Sequence, residues 1–368
     1  MGEKRDQYDL PTYPGWEEFS SKSIGDKLEY FKANGRLFDI LFSQQFDQTF
    51  LQNLFMLSDT IRRISRNEMG ATYLSNILST RRAMLYFVQP STRTFLSFLN
   101  ACHILGIKTS EIRDTTTSSE LKGESPEDTV RTFSSYVDLI IMRHPLKGFV
   151  EKTAWLLNQT NRPVPVVNGG SGPDQHPTQA LLDVYSMYRK FKKKDGLHDK
   201  TIMMVGDLKR GRTVRSLAYL MKNFEQIKLV FVSPPQLRME QDILDFLERV
   251  GIPFEESDSI TPFLPTVDAI YMTRIQDEHD NAEFQSSNLD LTNFHLQPEH
   301  LRVMKPESII LHPLPRRNEI HVDIDQDERA YYWRQERNGM WIRAALMAYL
   351  FGKDQKILEE GSQYFKHP

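Results

Sequence analysis

Gln89-Pro90-Ser91-Thr92-Arg93-Thr94 stands between an apolar run at 84–88 and an amphipathic stretch at 95–105. The run reads as a buried strand and the stretch as a helix, so the six residues mark a strand-to-helix turn of an α/β sheet. Hydroxyl residues and an arginine then sit where backbone N–H groups leave a helix N-terminus unpaired, which favours an anion. Arg93 adds a planar fork matched to phosphate oxygens. The plainer reading, a Ser/Thr helix cap with a surface arginine, is equally open from this stretch alone.

The same rhythm continues outward. Short apolar runs recur at 139–142, 164–167, 202–205, 229–232, 269–272 and 308–311. Amphipathic segments separate most of them, the pattern of βαβ units and parallel sheet. The first long helical pattern covers 45–64, and Ser125-Pro126-Glu127-Asp128 has the cap, proline and acid of a helix start. The segment 340–351 is apolar on most faces and is expected to be buried. Charge and glycine interrupt the pattern at Lys192-Lys193-Lys194-Asp195-Gly196, a solvated turn close to a domain boundary. Residues 1–43 are polar with scattered aromatics (Tyr8, Tyr13, Trp16, Phe19) and lack the rhythm. They read as an extension that packs on a neighbour or stays partly mobile.

Composition narrows the class. A chain of 368 residues exceeds one ordinary core, so two domains are expected. With 39% apolar and 26% charged residues it is an ordinary globular protein, and a net charge of −3 gives no pull toward nucleic acid or membrane. No stretch approaches the ~20 apolar residues of a membrane span. The start, Met1-Gly2-Glu3-Lys4-Arg5-Asp6, has neither a signal-peptide core nor a myristoylation motif. Cys102 is the sole cysteine, which excludes an intrachain disulfide and reads as a buried thiol. A cytoplasmic enzyme is the expectation.

Six further motifs fall at or beyond predicted strand ends, where open α/β sheets bind ligands. They are Ser118-Ser119-Glu120-Leu121-Lys122-Gly123-Glu124, Arg143-His144-Pro145, Asp174-Gln175-His176-Pro177-Thr178-Gln179, Gly206-Asp207-Leu208-Lys209-Arg210-Gly211-Arg212-Thr213, Thr273-Arg274-Ile275-Gln276 and His312-Pro313-Leu314-Pro315-Arg316. Each has an ordinary reading, from solvated strand-end arginines to a backbone-bonded histidine or a rigid turn. Four arginines, a lysine and a histidine on one sheet edge of an acidic chain argue for a site instead. The 206–213 stretch is a near miss to a phosphate-binding P-loop, with Arg212 where the lysine belongs. Asn168-Gly169-Gly170-Ser171-Gly172 lacks the third glycine of a dinucleotide fingerprint. No metal-ligand spacing and no G-x-S-x-G elbow is present, so neither metal nor cofactor is expected. The chemistry that wants these parts is attack by a neutral amine on an activated acyl phosphate. Cationic forks and N–H donors hold the phosphate, polarise the carbonyl and grip an anionic acceptor.

In this order the motifs resemble the catalytic chains of aspartate carbamoyltransferases, in the aspartate/ornithine carbamoyltransferase superfamily, over about residues 44–351. The resemblance implies two αβα domains, each with a mostly parallel sheet flanked by helices, joined by long helices. A carbamoyl-phosphate domain would cover 44–182, with the C-terminal helix 338–368 packing back on it, and an aspartate domain 183–337. It implies transfer from carbamoyl phosphate to L-aspartate, the committed step of de novo pyrimidine synthesis. Ser91, Thr92, Arg93 and Thr94 would hold the phosphate. Thr94, Arg143 and His176 would face the carbonyl oxygen. Gln179 and the carbonyls of Pro313 and Leu314 would orient the carbamoyl nitrogen and the amine. Arg212 would take the α-carboxylate, Arg274 with Gln276 the side-chain carboxylate, and Lys122 would bridge both substrates. A homotrimer is also implied, with the loop of Ser118 and Lys122 reaching into a neighbour's site; separate regulatory chains stay open. Gln89, Phe95 and Leu99 depart from the family pattern beside the site. The rivals are a carbamoyltransferase for another amine such as ornithine, a non-catalytic homologue and a P-loop hydrolase. A cationic ornithine side chain should not face Arg274.

Overall fold

A computed structural model describes residues 8–114, 123–172, 175–193, 196–280 and 285–364. The chain divides into two compact units, Met1–Thr178 with Gly339–Pro368, and Gln179–Asn338. In the first, β1 (Lys32–Ala33) and β2 (Arg36–Leu37) form a small antiparallel hairpin. Its main sheet holds β3 (Arg82–Phe87), β4 (Lys108–Ile112), β5 (Leu139–Arg143) and β6 (Val166–Asn168) in the order β4-β3-β5-β6. The second unit holds β7 (Thr201–Val205), β8 (Lys228–Val232), β9 (Phe254–Ser257), β10 (Ala269–Met272) and β11 (Ile309–Leu311) in the order β11-β10-β7-β8-β9. Every strand pair of these two sheets is parallel. The chain is therefore α/β, with helices between the strands.

The apolar runs became strands because a parallel sheet covered by helices buries both faces, so its strands are continuously apolar. β5 and β10 are buried along their whole length. Besides the short hairpin β1–β2, two strands of the main sheets escaped the sequence reading. Lys108–Ile112 and Phe254–Ser257 lie at sheet edges, are largely exposed and carry no apolar run. The helix expected over 340–351 begins at Tyr332, eight residues earlier, and runs to Leu350, and a further helix, Asp354–Tyr364, follows it.

The N-terminal segment, expected to pack on a neighbour or stay partly mobile, belongs to the core of its own unit. From residue 8 onward it packs into the first unit. Tyr13, Phe19, Phe31, Leu41 and Phe42 join Tyr86, Phe133, Phe149 and Val166 in one core. Trp16 meets the Trp155 ring at 5.4 Å. Ile40 adds a further rung beside β6, donating to Val166 O at 2.9 Å and accepting from Asn168 N at 2.8 Å. The segment follows the contour of a surface formed by other elements, so its aromatics obey neither helical nor strand spacing. That is why periodicity did not find it.

Asp39 is the buried polar centre of this packing. Its carboxylate accepts from Asn158 Nδ2 at 2.7 Å and Val166 N at 2.8 Å. Both donors are neutral, and burial pushes the carboxyl up to about 7 from an ordinary 3.8, against the pull of those bonds. Between these values the unfolded chain has released the proton and the folded chain has not. The stabilisation is thus complete below about pH 4 and is lost as pH rises to about 7, at no more than about 1.4 kcal/mol per unit. Asp39→Asn should flatten this slope. Urea unfolding from about pH 4 to about pH 8 checks it, and equal slopes for variant and parent would remove Asp39 as the cause.

Candidate active site

In the first unit, helix Thr92–Ile104 starts just beyond β3. Its N-cap, Ser91, has extended backbone and makes no side-chain capping bond. The simple helix-cap reading therefore fails, and the first-turn N–H groups are not taken up by this hydroxyl. Phe95 explains its own departure: the ring packs edge-on to Phe87 at 5.5 Å, and the Arg113 guanidinium lies 4.3 Å above it. Gln89 accepts from Gly172 N at 3.1 Å, tying the two loops together.

Thr94, Arg143 and His176 are all buried. Thr94 Oγ1 lies 3.5 Å from His176 Nε2, and Arg143 Nη1 donates to Gly169 O at 3.3 Å. Gly170, at φ +94°, fits between them. A Cβ there would stand 2.7 Å from His176 Nε2 and 2.8 Å from Arg143 Nη1. The glycine stretch dismissed as a poor nucleotide fingerprint is thus the wall behind the two cationic and imidazole groups. His144 has another fate. Its Nδ1 accepts from Leu146 N at 3.2 Å, and burial lowers the imidazole to about 4, so it is a neutral structural group.

In the second unit, Gln179 donates to Asp183 Oδ1 at 2.9 Å. The same carboxylate accepts from Gln335 Nε2 at 2.6 Å and Tyr271 OH at 2.8 Å. Gln335 Oε1 in turn accepts the His312 backbone N–H at 2.8 Å. His312 Nδ1 accepts from Leu314 N at 2.7 Å, which by the hydrogen-bond network places the ring proton on Nε2, 2.7 Å from Glu319 Oε1. Burial would raise the Glu319 carboxyl, but the His312 bond and the Arg317 N–H hold it below the usual range. These bonds lock the 312–316 turn, with Leu314 in left-handed backbone at φ +52°. Arg316 pairs with Asp325 and Tyr332 and serves as an anchor.

The 206–213 loop is no P-loop. Leu208 N and Lys209 N are spent on Leu237 O, and Arg210 N on Asp207. Gly206 and Gly211 make room for protein: a Cβ would meet Thr273 O at 2.2 Å and Asp207 O at 2.5 Å respectively. Fully buried Asp207 also accepts from Arg210 Nε at 2.7 Å and Gln276 N at 3.1 Å. Arg212 opens helix Arg212–Leu220. Arg274 is clasped by Glu278, with Nη1 to Oε2 at 2.8 Å and a second bond from Nη2. Ser118 and Lys122 lie outside the described residues. Asp183 and Gln335 were missed because they meet across 152 residues of sequence, and Asn168, Gly170 and Glu319 because a short polar or glycine turn carries no mark of what packs against it. Among the described residues no group of three or more His, Cys, Asp or Glu could hold a metal ion, and no helix is long and apolar enough to cross a membrane.

Residues 39–189 match the carbamoyl-P binding domain of aspartate/ornithine carbamoyltransferases, and 198–350 match their Asp/Orn binding domain. The chain is 38% identical to aspartate carbamoyltransferase 1, chloroplastic, of Pisum sativum, over 89% of this chain and 80% of that one. It is 40% identical to the catalytic subunit of aspartate carbamoyltransferase from Clostridium acetobutylicum, over 82% and 94%. Among solved structures it is similar to Trypanosoma cruzi aspartate transcarbamoylase in complex with carbamoyl phosphate, at TM-score 0.76 and 31% identity over 84% and 95%. The catalytic subunit of M. jannaschii aspartate transcarbamoylase gives TM-score 0.74 at 33% identity over 87% of this chain and 99% of that one.

Asp183→Ala should strand two amide donors and one hydroxyl in the interior. Each unsatisfied buried group costs about 1–3 kcal/mol, so a loss of several kcal/mol is expected in urea unfolding. Asp183→Asn, which keeps the shape and an acceptor, should cost less. An alanine variant within about 1 kcal/mol of the parent would show that this carboxylate does not hold the turn.

Proposed function

The chain belongs to the aspartate/ornithine carbamoyltransferase family, and from that premise we infer that it carbamoylates L-aspartate. The observation that carries the reading furthest is the grouping of Thr94, Arg143 and His176, with Gly170 fitted against the last two. Donors so placed are already oriented toward an oxygen that gains charge, which is the largest lever available to an acyl transfer without a metal.

The amine nitrogen of aspartate attacks the carbonyl carbon of carbamoyl phosphate. The new C–N bond forms, the bond from carbon to the phosphate oxygen breaks, and the amine proton leaves with the phosphate. Ser91, Thr92, Arg93 and Thr94 take the phosphate at the helix start. Arg93 also steadies the departing charge. Thr94, Arg143 and His176 donate to the carbonyl oxygen. Gln179 and the carbonyls of Pro313 and Leu314 orient the carbamoyl nitrogen and the amine. Arg212 takes the aspartate α-carboxylate, and Arg274 with Gln276 takes the side-chain carboxylate. Such a reaction supplies N-carbamoyl-L-aspartate to pyrimidine synthesis. The proposed compartment is the cytoplasm; the plant relatives are named chloroplastic, and imaging the tagged full chain separates the two.

Acceptor choice tests the charge logic. Purified protein with carbamoyl phosphate and a panel of amino acids should form ureido product fastest with aspartate. Arg274→Ala should lower aspartate use by about one to two orders of magnitude, since a charge-assisted hydrogen bond is worth about 1.5–3 kcal/mol. Faster turnover of ornithine than of aspartate would overturn the assignment.

We also propose a homotrimer whose sites are shared, with Ser118 and Lys122 delivered from the adjacent protomer. A lysine is a compact charge on a flexible stem, suited to meeting a phosphate and a carboxylate together. Lys122→Ala and Arg93→Ala should each be nearly inactive. Mixed into hybrid trimers they should regain activity wherever intact copies of both residues meet. Hybrids verified by mass spectrometry that stay inactive would place each site within one chain.

A further inference from the structure

We propose that Asn168 is a positioning residue for carbamoyl transfer, setting Arg143 and His176 through one buried amide; this rests on the reaction proposed above. Asn168 ends β6 and is 3% exposed. Its four hydrogen-bonding positions are all filled. Oδ1 accepts from Gly170 N at 2.8 Å and Ser171 N at 3.0 Å, while Nδ2 donates to Leu41 O at 3.2 Å and Gln175 O at 3.1 Å.

The two ends of the amide act on different parts of the site. The oxygen end folds the chain sharply after β6, turning Gly169 O toward the Arg143 guanidinium and pressing Gly170 against Arg143 and the His176 ring. The nitrogen end holds the carbonyl of Gln175, the residue directly before His176, and so fixes where that imidazole enters. Gln175 is held from its other side as well, because its side chain accepts from Ser43 N at 2.8 Å and donates to Gln44 Oε1 at 2.8 Å. A donor to a developing oxyanion must be placed to a fraction of an ångström. Here that precision comes from a neutral amide that has no role in proton transfer and sits behind both donors.

Aspartate at this position is nearly isosteric. It keeps both acceptor bonds and turns the two donor bonds into repulsion between a carboxylate and the Leu41 and Gln175 carbonyls. Asn168→Asp is therefore expected to lower kcat by about tenfold or more, the scale of a misplaced oxyanion donor, while the KM for aspartate changes less than about threefold. Asn168→Ser, which retains one donor and one acceptor, should fall between the two and replaces Asn168→Asp if the carboxylate prevents folding. Leu74→Ala, a fully buried truncation elsewhere in the first unit, serves as the control for destabilisation alone. It should lose thermal stability with kcat within about twofold of the parent. An unchanged kcat in the folded Asn168 variants, or an equal kcat loss in Leu74→Ala, overturns the proposal. A crystal structure of the same variant decides independently of turnover. His176 displaced from Thr94 is expected, and a ring in its parental position refutes the inference. Failure of the parent enzyme to carbamoylate any amino acid would instead sink the underlying reaction, leaving the crystallographic outcome to judge Asn168.

Discussion

Where a parallel strand leaves its sheet, the chain must turn through the protein interior with its backbone polar groups satisfied, and this constraint shapes the whole molecule. At β6 an asparagine side chain does it, at β7 a buried aspartate, and at β11 a histidine backed by a glutamate. Each solution spends polar side chains on holding a loop in one conformation. The loops so held carry His176, Arg212 and Leu314, and they reach Arg143 through Gly169 O and Gln276 through its N–H to Asp207. Rigidity at the sheet edge and the placing of candidate binding groups are thus one physical problem.

That view also separates the glycines. Gly206 and Gly211 admit carbonyl oxygens of the protein itself, whereas Gly170 admits the side chains of Arg143 and His176. Two glycine-bearing turns look alike in a sequence and differ in what approaches them. Arg274 raises a related point. Its guanidinium is already clasped by Glu278, four residues on, so any acidic ligand meets an arginine that has a carboxylate partner. A ligand carboxylate there must share the guanidinium with Glu278 or displace it.

Much of the architecture was legible because buried parallel strands leave unbroken apolar runs, and 269–272 was read to the residue. Edge strands such as Lys108–Ile112 were not, since a strand with one neighbour and a wet face needs no such run. The motif residues stood out by charge and position. Their supports did not, because Asn168, Asp183 and Gln335 are common residue types that each take a partner far along the chain, Leu41 in the case of Asn168. The N-terminal aromatics were legible as aromatics but not as core, for the surface they fill is made by β3, β5 and β6.

The first unit is assembled from both ends of the chain, with the second unit, Gln179–Asn338, inserted whole between them. Its last part includes Arg343, which donates to Ser97 Oγ at 2.6 Å and stacks over Phe98, and Met347, which meets Cys102. On a ribosome these residues emerge after the whole of the second unit. The helix that bears the Ser91–Thr94 turn therefore waits, with Phe98 and Cys102 uncovered, while more than 150 residues are synthesised and fold as a separate body. Biogenesis consequently runs against the chain order: the second unit is complete before the helix Thr92–Ile104 is sealed.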